Sequence, residues 1–179
     1  MKAAAVFALL ATAGAAYGPG NAIHGPKPED NRPHSAAVKR QLKVIKRATA
    51  KYRDVRLAVR DGYVPTNECY GVKGKGVMGF HYANPALVTN NKDDIRKPDI
   101  LIYLPTEKGG RRLAAVEWYH LDADQDLMTD PDRPYLFHRP FEGPMIHSPG
   151  TPVHFDLHVW LFKHNPDGVF APFNRTARC

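Results

Sequence analysis

The stretch that most constrains the fold is residues 152–165, PVHFDLHVWLFKHN, in which two kinds of side chain alternate. This alternation, with its β-branched and aromatic residues, predicts a strand over 153–163 and leaves a helix as the alternative. In a strand, one face carries His154, Asp156, His158, Trp160 and Phe162, and the other is uniformly apolar. The apolar face requires a core. The opposite face changes from potential ligands to aromatic side chains, which suggests a pocket with a polar end.

Two further strands are predicted upstream, over 99–105 and 111–120, joined by a hairpin turn at TEKGG. The long Pro- and Asp-rich segment 121–151 is interpreted as a loop, and residues 63–98 are expected to add at least one strand. A helix followed by a hairpin and another strand predicts an α+β fold. We therefore expect one domain over 35–179, with a small antiparallel sheet that could curl like a barrel.

A long amphipathic helix is predicted between Ser35, a good N-cap, and Gly62, a good residue just beyond a helix end. Apolar residues recur every three or four positions and form one stripe over about seven turns; they are Val38, Leu42, Ile45, Ala48, Tyr52, Val55 and Val59. The formal net charge of +7 is concentrated in 38–60. Weak binding to an anionic surface could follow from this basic face, and no specific nucleic-acid binding is expected.

The N-terminal residues MKAAAVFALLATAGAAYG have the organisation of a secretory signal peptide, predicted over 1–16, with a buried N-terminal helix as the alternative. Residues 17–34 are rich in Pro, Gly and Asn and are predicted to form a flexible mature N-terminus. We expect a secreted protein without a transmembrane segment, since no other stretch is long and apolar enough to span a bilayer.

Two cysteines, Cys69 and Cys179, are expected to form one disulfide in a secreted chain, with two free thiols as the alternative. Asn174 begins an Asn-Arg-Thr glycosylation sequon. If a glycan were attached there, the C-terminal tail would lie at the surface.

The histidine strand alone is a poor metal site. Neighbours on one strand face are about 6.8 Å apart, so the Cα atoms of His154 and His158 are separated by roughly 13 Å. A metal–nitrogen bond is only about 2.0–2.1 Å long. Both imidazoles therefore reach one ion only if they lean together or the strand bends, and Asp156 either ligates or orients an imidazole.

Further ligands must come from elsewhere in the chain. Glu117 is the most informative candidate, because a carboxylate between apolar strand residues is costly unless it is paired or metal-bound. His81 follows Gly-Phe and precedes Tyr82, and we expect it to be a ligand or an acid–base group. His147 could fold over the end of the histidine strand, and His120 and His138 are weaker candidates. Histidine and carboxylate ligands favour a divalent transition metal: Zn, Cu, Fe, Mn or Ni.

The sequence thus predicts a metal site built from His81, Glu117, His154 and His158, in which His81 and Glu117 could act catalytically. Trp118, Trp160, Phe162 and Tyr82 are expected near this site as pocket residues, with Asp156 and His147 supporting it. The predicted function is a secreted metal-binding protein that could be a small metalloenzyme acting on a small molecule. The alternative is a non-catalytic interaction or metal-carrier protein whose histidines are structural.

The segments MGFHYANPALV, AAVEWYH and HFDLHVWLFKHNPDGVFAPFN, with the terminal cysteine, resemble a group of small secreted fungal and bacterial proteins. That group shares MGxHYxNP, a VEY-type strand, HxDLHxWL and NPxGxF, and the resemblance covers about residues 50–179. It implies a shared secreted domain and draws attention to His81, Glu117, His154, Asp156 and His158, without implying a reaction. This chain departs from the pattern at Trp118 and in its Gly/Lys-rich stretch 71–77.

Overall fold

The structure is a computed structural model that describes residues 34–147 and 150–179. The elements in chain order are α1 (Ala36–Thr49), a 3₁₀ turn (Ala50–Arg53), α2 (Val55–Arg60), β1 (Val64–Val72), β2 (Gly76–Ala83), α3 (Pro85–Val88), β3 (Ile100–Pro105), β4 (Arg111–Leu121), β5 (Tyr135–Leu136), β6 (Arg139–Pro140), β7 (Glu142–Met145) and β8 (His154–Val159).

A curled six-stranded antiparallel sheet, shaped like half a barrel, dominates the fold. Its strand order is β1-β2-β3-β4-β8-β7, and β5 and β6 form a separate small hairpin. This confirms the predicted α+β class and the antiparallel sheet. The predicted hairpin is β3–β4, and the histidine strand is β8, which pairs with β4.

The prediction of one continuous N-terminal helix is wrong. The helix begins where expected, since the Ser35 side chain accepts a hydrogen bond from the Val38 amide. After Thr49 the chain tightens into a 3₁₀ turn, and Asp54 then caps a new helix by accepting from the Arg56 amide. An Asp side chain that bonds nearby backbone amides favours a helix start over a helix interior, which explains the break.

The new start at Asp54 also changes which residues face the core. Ala58 is fully buried, whereas Val59, predicted for the apolar stripe, is 53 % exposed. Part of the basic surface is paired within the chain, because Lys51 and Arg60 form ion pairs with Asp61.

The sheet separates two apolar clusters. The larger cluster lies between the sheet and the helices, and includes Ile45, Tyr103 and Trp118. The smaller one includes Ile100, Ile102, Ala115 and Trp160. Ile100 pairs directly with Glu117 across β3 and β4, so the smaller cluster shares the sheet face on which Glu117 lies. The candidate site is therefore on the face away from the helices.

The C-terminal segment is tied to β1 and β2. Cys69 and Cys179 form the expected disulfide, and Asn174 pairs with Val77 as an isolated bridge. Gly76 permits this close approach, because a Cβ there would collide with the Asn174 carbonyl.

The burial of Asn174 argues against the predicted glycosylation. Asn174 is 0 % exposed, and its side-chain amide donates to the His164 carbonyl. The sequon asparagine thus stabilises the C-terminal turn instead of facing solvent. A glycan on this nitrogen would disrupt the hydrogen bond and the packing around it.

The predicted signal peptide and most of the predicted flexible segment lie outside the described residues. Within the described ranges, no helix is long and apolar enough to cross a membrane.

Candidate metal site

The candidate site begins with the pairing of β4 and β8. Glu117 lies directly opposite His158 in this antiparallel pair. His81 approaches from β2, where it pairs with Ile102 of the intervening strand β3. Cross-strand partners on one face have their Cβ atoms only about 4.5–5.5 Å apart. Strand register and the curl of the sheet therefore bring one carboxylate and two imidazoles together; we call His81, Glu117 and His158 the first triad.

The spacing of the first triad would allow one metal ion to lie between its three ligand atoms. Glu117 Oε2 lies 3.3 Å from His81 Nε2 and 3.6 Å from His158 Nε2. Charge-assisted N–H···O bonds are shorter, about 2.7–2.9 Å, and Oε2 accepts no hydrogen bond within the described chain. Two ligands bound at about 2.1 Å in tetrahedral geometry would be about 3.4 Å apart. The observed separations lie on either side of that value.

A second group of ligands lies at the other end of β8. His147, which follows β7, approaches His154 and Asp156 so that one ligand atom from each lies within 4.8 Å of the others. We call these residues the second triad. Asp156 connects the two groups, because its Oδ1 is 3.5 Å from His158 Nδ1.

This division changes the predicted ligand set. His154 and His158 do not share one ion-sized cluster, as the roughly 13 Å separation along a strand had suggested. His154 joins the second triad, whereas His158 joins the first. The structure brings His81, Glu117 and His158 together from three strands and gives His154 a different set of neighbours.

Burial makes the charge balance of the first triad important. The side chains of Glu117 and His158 are each 1 % exposed. Burial lowers the pKa of His158, but the carboxylates of Glu117 and Asp156 outweigh it and raise the pKa to about 9. Conversely, burial raises the pKa of Glu117, but the charges of His158 and His81 hold it below its usual value. Without a cation, the cluster is thus an imidazolium between two carboxylates.

The second triad has a different electrostatic character. Burial, followed by the neighbouring His154, lowers the pKa of His147 to about 4, so this imidazole is neutral at pH 7. Burial raises the pKa of Asp156, but His158 more than compensates and keeps the carboxylate ionised. The two triads together contain two buried carboxylates and neutral or ionisable imidazoles, the ligand types that divalent transition metals prefer.

Two predicted pocket residues lie on the wrong face. Trp118 follows Glu117 and Tyr82 follows His81, so strand alternation turns both toward the main core. Trp118 donates its indole N–H to the Asp94 carbonyl, and Tyr82 packs on Tyr103. Both are structural core residues.

The other aromatic candidates divide between the two faces. Trp160 stays in the smaller cluster on the site's face of the sheet, and its indole donates to the Ala171 carbonyl. Phe162 packs against the main core, with Lys46 above its ring. Regular alternation ends with β8 at Val159, so the strand prediction places Phe162 on the wrong side.

The weaker histidine candidates lie elsewhere. His120 Nδ1 faces Asp93 Oδ1 at 3.7 Å, and His120 belongs to neither triad. His138 lies in the turn between β5 and β6, with a positive φ of 57°. Neither residue adds a ligand to the clusters found among residues 34–147 and 150–179.

Two tyrosines that were not among the predicted site residues support the ligands. The Tyr119 ring stacks on His154 with centroids 4.4 Å apart, and strand alternation places Tyr119 on the face of Glu117. Tyr70 contacts the rings of both His81 and His147. Its hydroxyl donates to the His147 carbonyl, a contact that needs the β1–β2 hairpin and had no sequence signal.

Comparisons with protein-family models, curated proteins and solved structures gave no match. Function is therefore inferred from the geometry and chemistry of the two triads.

Proposed function

We propose that this protein binds one divalent transition-metal ion through His81 Nε2, Glu117 Oε2 and His158 Nε2. The observation that carries the proposal is the spacing of 3.3 and 3.6 Å around Glu117 Oε2. These distances are too long for good charged hydrogen bonds and suited to the edges of a tetrahedral coordination shell.

Burial supports the same conclusion. Glu117 and His158 are almost completely removed from solvent, where a carboxylate oxygen without a hydrogen bond is costly. Glu117 Oε2 and both ring nitrogens of His158 make no hydrogen bond within the described chain. A divalent ion between Glu117 Oε2 and His158 Nε2 would supply a partner for both of these atoms. Asp156 beside His158 Nδ1 resembles the carboxylate–histidine–metal arrangement that fixes the orientation of ligating imidazoles.

Two histidines and one carboxylate leave further coordination positions on a divalent ion. Such an ion, when bound, could polarise a substrate oxygen or activate a water molecule. His81 is the ligand closest to solvent, with a side chain 15 % exposed against 1 % for Glu117. A small molecule would therefore approach from the His81 side. More specifically, the protein would be a small metalloenzyme, and the alternative is a metal carrier.

Secretion is part of the proposal. The disulfide between Cys69 and Cys179 is typical of oxidising compartments, and the N-terminal sequence has the organisation of a signal peptide. Expression of the full chain with detection of processed protein in the medium tests this point. Retention inside the cell with an intact N-terminus would contradict it.

Metal analysis of the purified protein tests the binding proposal. After dialysis with Zn²⁺, Cu²⁺ or Mn²⁺ and removal of excess ion, at least one metal per chain is expected with the preferred ion. Glu117→Gln keeps the size of the side chain and should lose this ion. His164→Ala, which removes an exposed histidine outside both triads, is the matched control. Fewer than about 0.1 ion per chain with every metal would refute the proposal.

Activity separates the two forms of the proposal. If the metal is catalytic, the loaded protein should turn over a small-molecule ester, amide or phosphate, and Glu117→Gln should abolish the turnover together with the metal. If the protein is a carrier, the loaded form should transfer its ion to a chelator within minutes and show no turnover.

A further inference from the structure

The second triad has features of a cation site of its own. His147 and His154 bring their Nε2 atoms to within 3.1 Å. His147, His154 and Asp156 each offer one ligand atom, and these three atoms lie within 4.8 Å of one another. Two ligands at about 2.1 Å from one ion would be about 3.0–3.4 Å apart, depending on geometry. The histidine pair fits this range, although a simple hydrogen bond between two imidazoles has the same length.

The tautomer of His154 points its lone pair into the cluster. His154 Nδ1 lies 3.0 Å from the Pro152 carbonyl oxygen. A carbonyl can only accept, so Nδ1 must carry the proton and donate it. In the neutral imidazole with this tautomer, Nε2 carries the lone pair, and it lies 3.1 Å from His147 Nε2. Metal-ligating histidines almost always donate their other ring N–H to a carbonyl or carboxylate in this way.

The burial of Asp156 provides separate support for a cation at this site. Its side chain is 1 % exposed, and neither carboxylate oxygen has a hydrogen-bond partner in the described chain. Its nearest charged neighbour, His158 Nδ1, is 3.5 Å from Oδ1 only. A buried carboxylate without hydrogen bonds is costly. A cation beside His147 and His154 would give one of its oxygens a partner.

We propose that His147, His154 and Asp156 bind a second divalent cation, separate from the ion of the first triad. Each triad then offers two imidazoles and one carboxylate, the donor set of many zinc and non-haem iron sites. Asp156 links them, since Oδ1 faces the first triad through His158. The second ion should bind more weakly than the first, because two like charges in neighbouring buried sites repel each other.

The aromatic surroundings hold this site in shape. Tyr119 stacks on His154, and Tyr70 donates its hydroxyl to the backbone carbonyl of His147. That hydrogen bond does not involve the His147 imidazole. This backbone hydrogen bond would remain after removal of the imidazole, whose ring contacts with Tyr70 and His154 would be lost. His147 is therefore a suitable position for a test.

Metal stoichiometry tests the proposal, with Zn²⁺ as the probe and the full mature chain as the sample. The wild type should bind two ions after dialysis against excess Zn²⁺. His147→Ala should bind one, and His147→Gln, which keeps size and polarity, serves if the alanine variant unfolds. His81→Ala should also bind one, at the second triad, and His164→Ala should still bind two. Circular dichroism verifies the fold of each variant.

The outcomes distinguish this inference from the proposed function. Two ions in the wild type and one in His147→Ala support the second site. If the wild type binds one ion, and this ion is lost in His147→Ala but retained in His81→Ala, the second site is supported and the first is overturned. The second site is overturned if the wild type binds one ion and His147→Ala retains it. It is also overturned if the wild type and His147→Ala both bind two ions. In either case the His147–His154 contact is a hydrogen bond.

Spectroscopy with Cu²⁺ provides an additional readout. Two paramagnetic ions in adjacent sites should broaden each other's electron paramagnetic resonance signal at two equivalents, and His147→Ala should give the sharp spectrum of an isolated ion. A wild-type spectrum that stays sharp at two equivalents would contradict the proposed pair.

Discussion

Metal binding to the first triad should release one proton from His158. Burial lowers the pKa of this imidazole, but Glu117 and Asp156 raise it to about 9. At pH 7, two units lower, about 99 % of the metal-free protein carries this proton. A ligating imidazole must give up the proton at the metal-bound nitrogen. We expect Nε2 to lose it, while Nδ1–H remains beside Asp156.

The magnitude follows from the same pKa. Between pH 7 and 9, the apparent association constant should rise about tenfold per pH unit, and it should level off above pH 9. Glu117, whose pKa is held low, is already ionised and adds no proton. Isothermal titration calorimetry at pH 7.5, in buffers with different ionisation enthalpies, measures the number of protons released per ion.

One equivalent of metal should therefore release close to one proton at pH 7.5. Binding without proton release, together with an affinity that does not change between pH 7 and 9, would show that His158 is not protonated in the metal-free cluster. Nuclear magnetic resonance of the metal-free imidazoles provides a control. Glu117→Gln removes one of the two carboxylates that raise the pKa of His158, so the His158 titration should move to lower pH.

Three further changes test other parts of the account. Without metal, the stability that protonated His158 contributes should be fully present below pH 6.5 and should be lost as pH rises through about 9. Chemical denaturation should show the free energy of unfolding falling by up to about 3 kcal/mol over this range. A free energy of unfolding that does not change with pH would contradict the ion-pair cluster. Replacing Cys69 and Cys179 by serine should lower the free energy of unfolding by about 4–5 kcal/mol, because their disulfide spans 110 residues; equal stability of the reduced and oxidised forms would contradict this. Gly79→Ala should lower the free energy of unfolding in urea by about 2–3 kcal/mol. Gly79 has a φ of +122°, and a Cβ there would lie 2.7 Å from the Tyr103 carbonyl oxygen. A change below about 0.5 kcal/mol would show that β2 and β3 are packed less closely at this point.

The parts of the fold that depend on local pattern could be predicted from sequence. Alternation of side-chain types predicted the histidine strand, and two apolar segments flanking a Gly-containing turn predicted the β3–β4 hairpin. The same rule, applied to neighbours, would have placed Trp118 and Tyr82 in the main core. Their aromatic character had suggested a pocket, but chain position decides the face.

The helix break was also visible in principle. Asp54 precedes VRLAVR, and an Asp before an apolar-periodic segment is a start signal. The apolar stripe nevertheless predicted one continuous helix, because Tyr52 and Val55 keep the helical spacing on both sides of the break.

The partners that His154 and His158 each find could not be predicted from sequence. His81 meets Glu117 across β3, and His147 reaches β8 only because β7 pairs beside it. Both contacts depend on strand order and sheet curl, which are long-range properties. Glu117 was identifiable because a carboxylate in an apolar strand requires a partner, but its partners required the structure.

The most direct test of the central claim is anomalous X-ray diffraction from crystals grown with one equivalent of the preferred metal. The account predicts one strong peak about 2.0–2.2 Å from His81 Nε2, Glu117 Oε2 and His158 Nε2. A fully occupied peak bound by other residues, or no peak while Glu117 and His158 keep their buried positions, would contradict it.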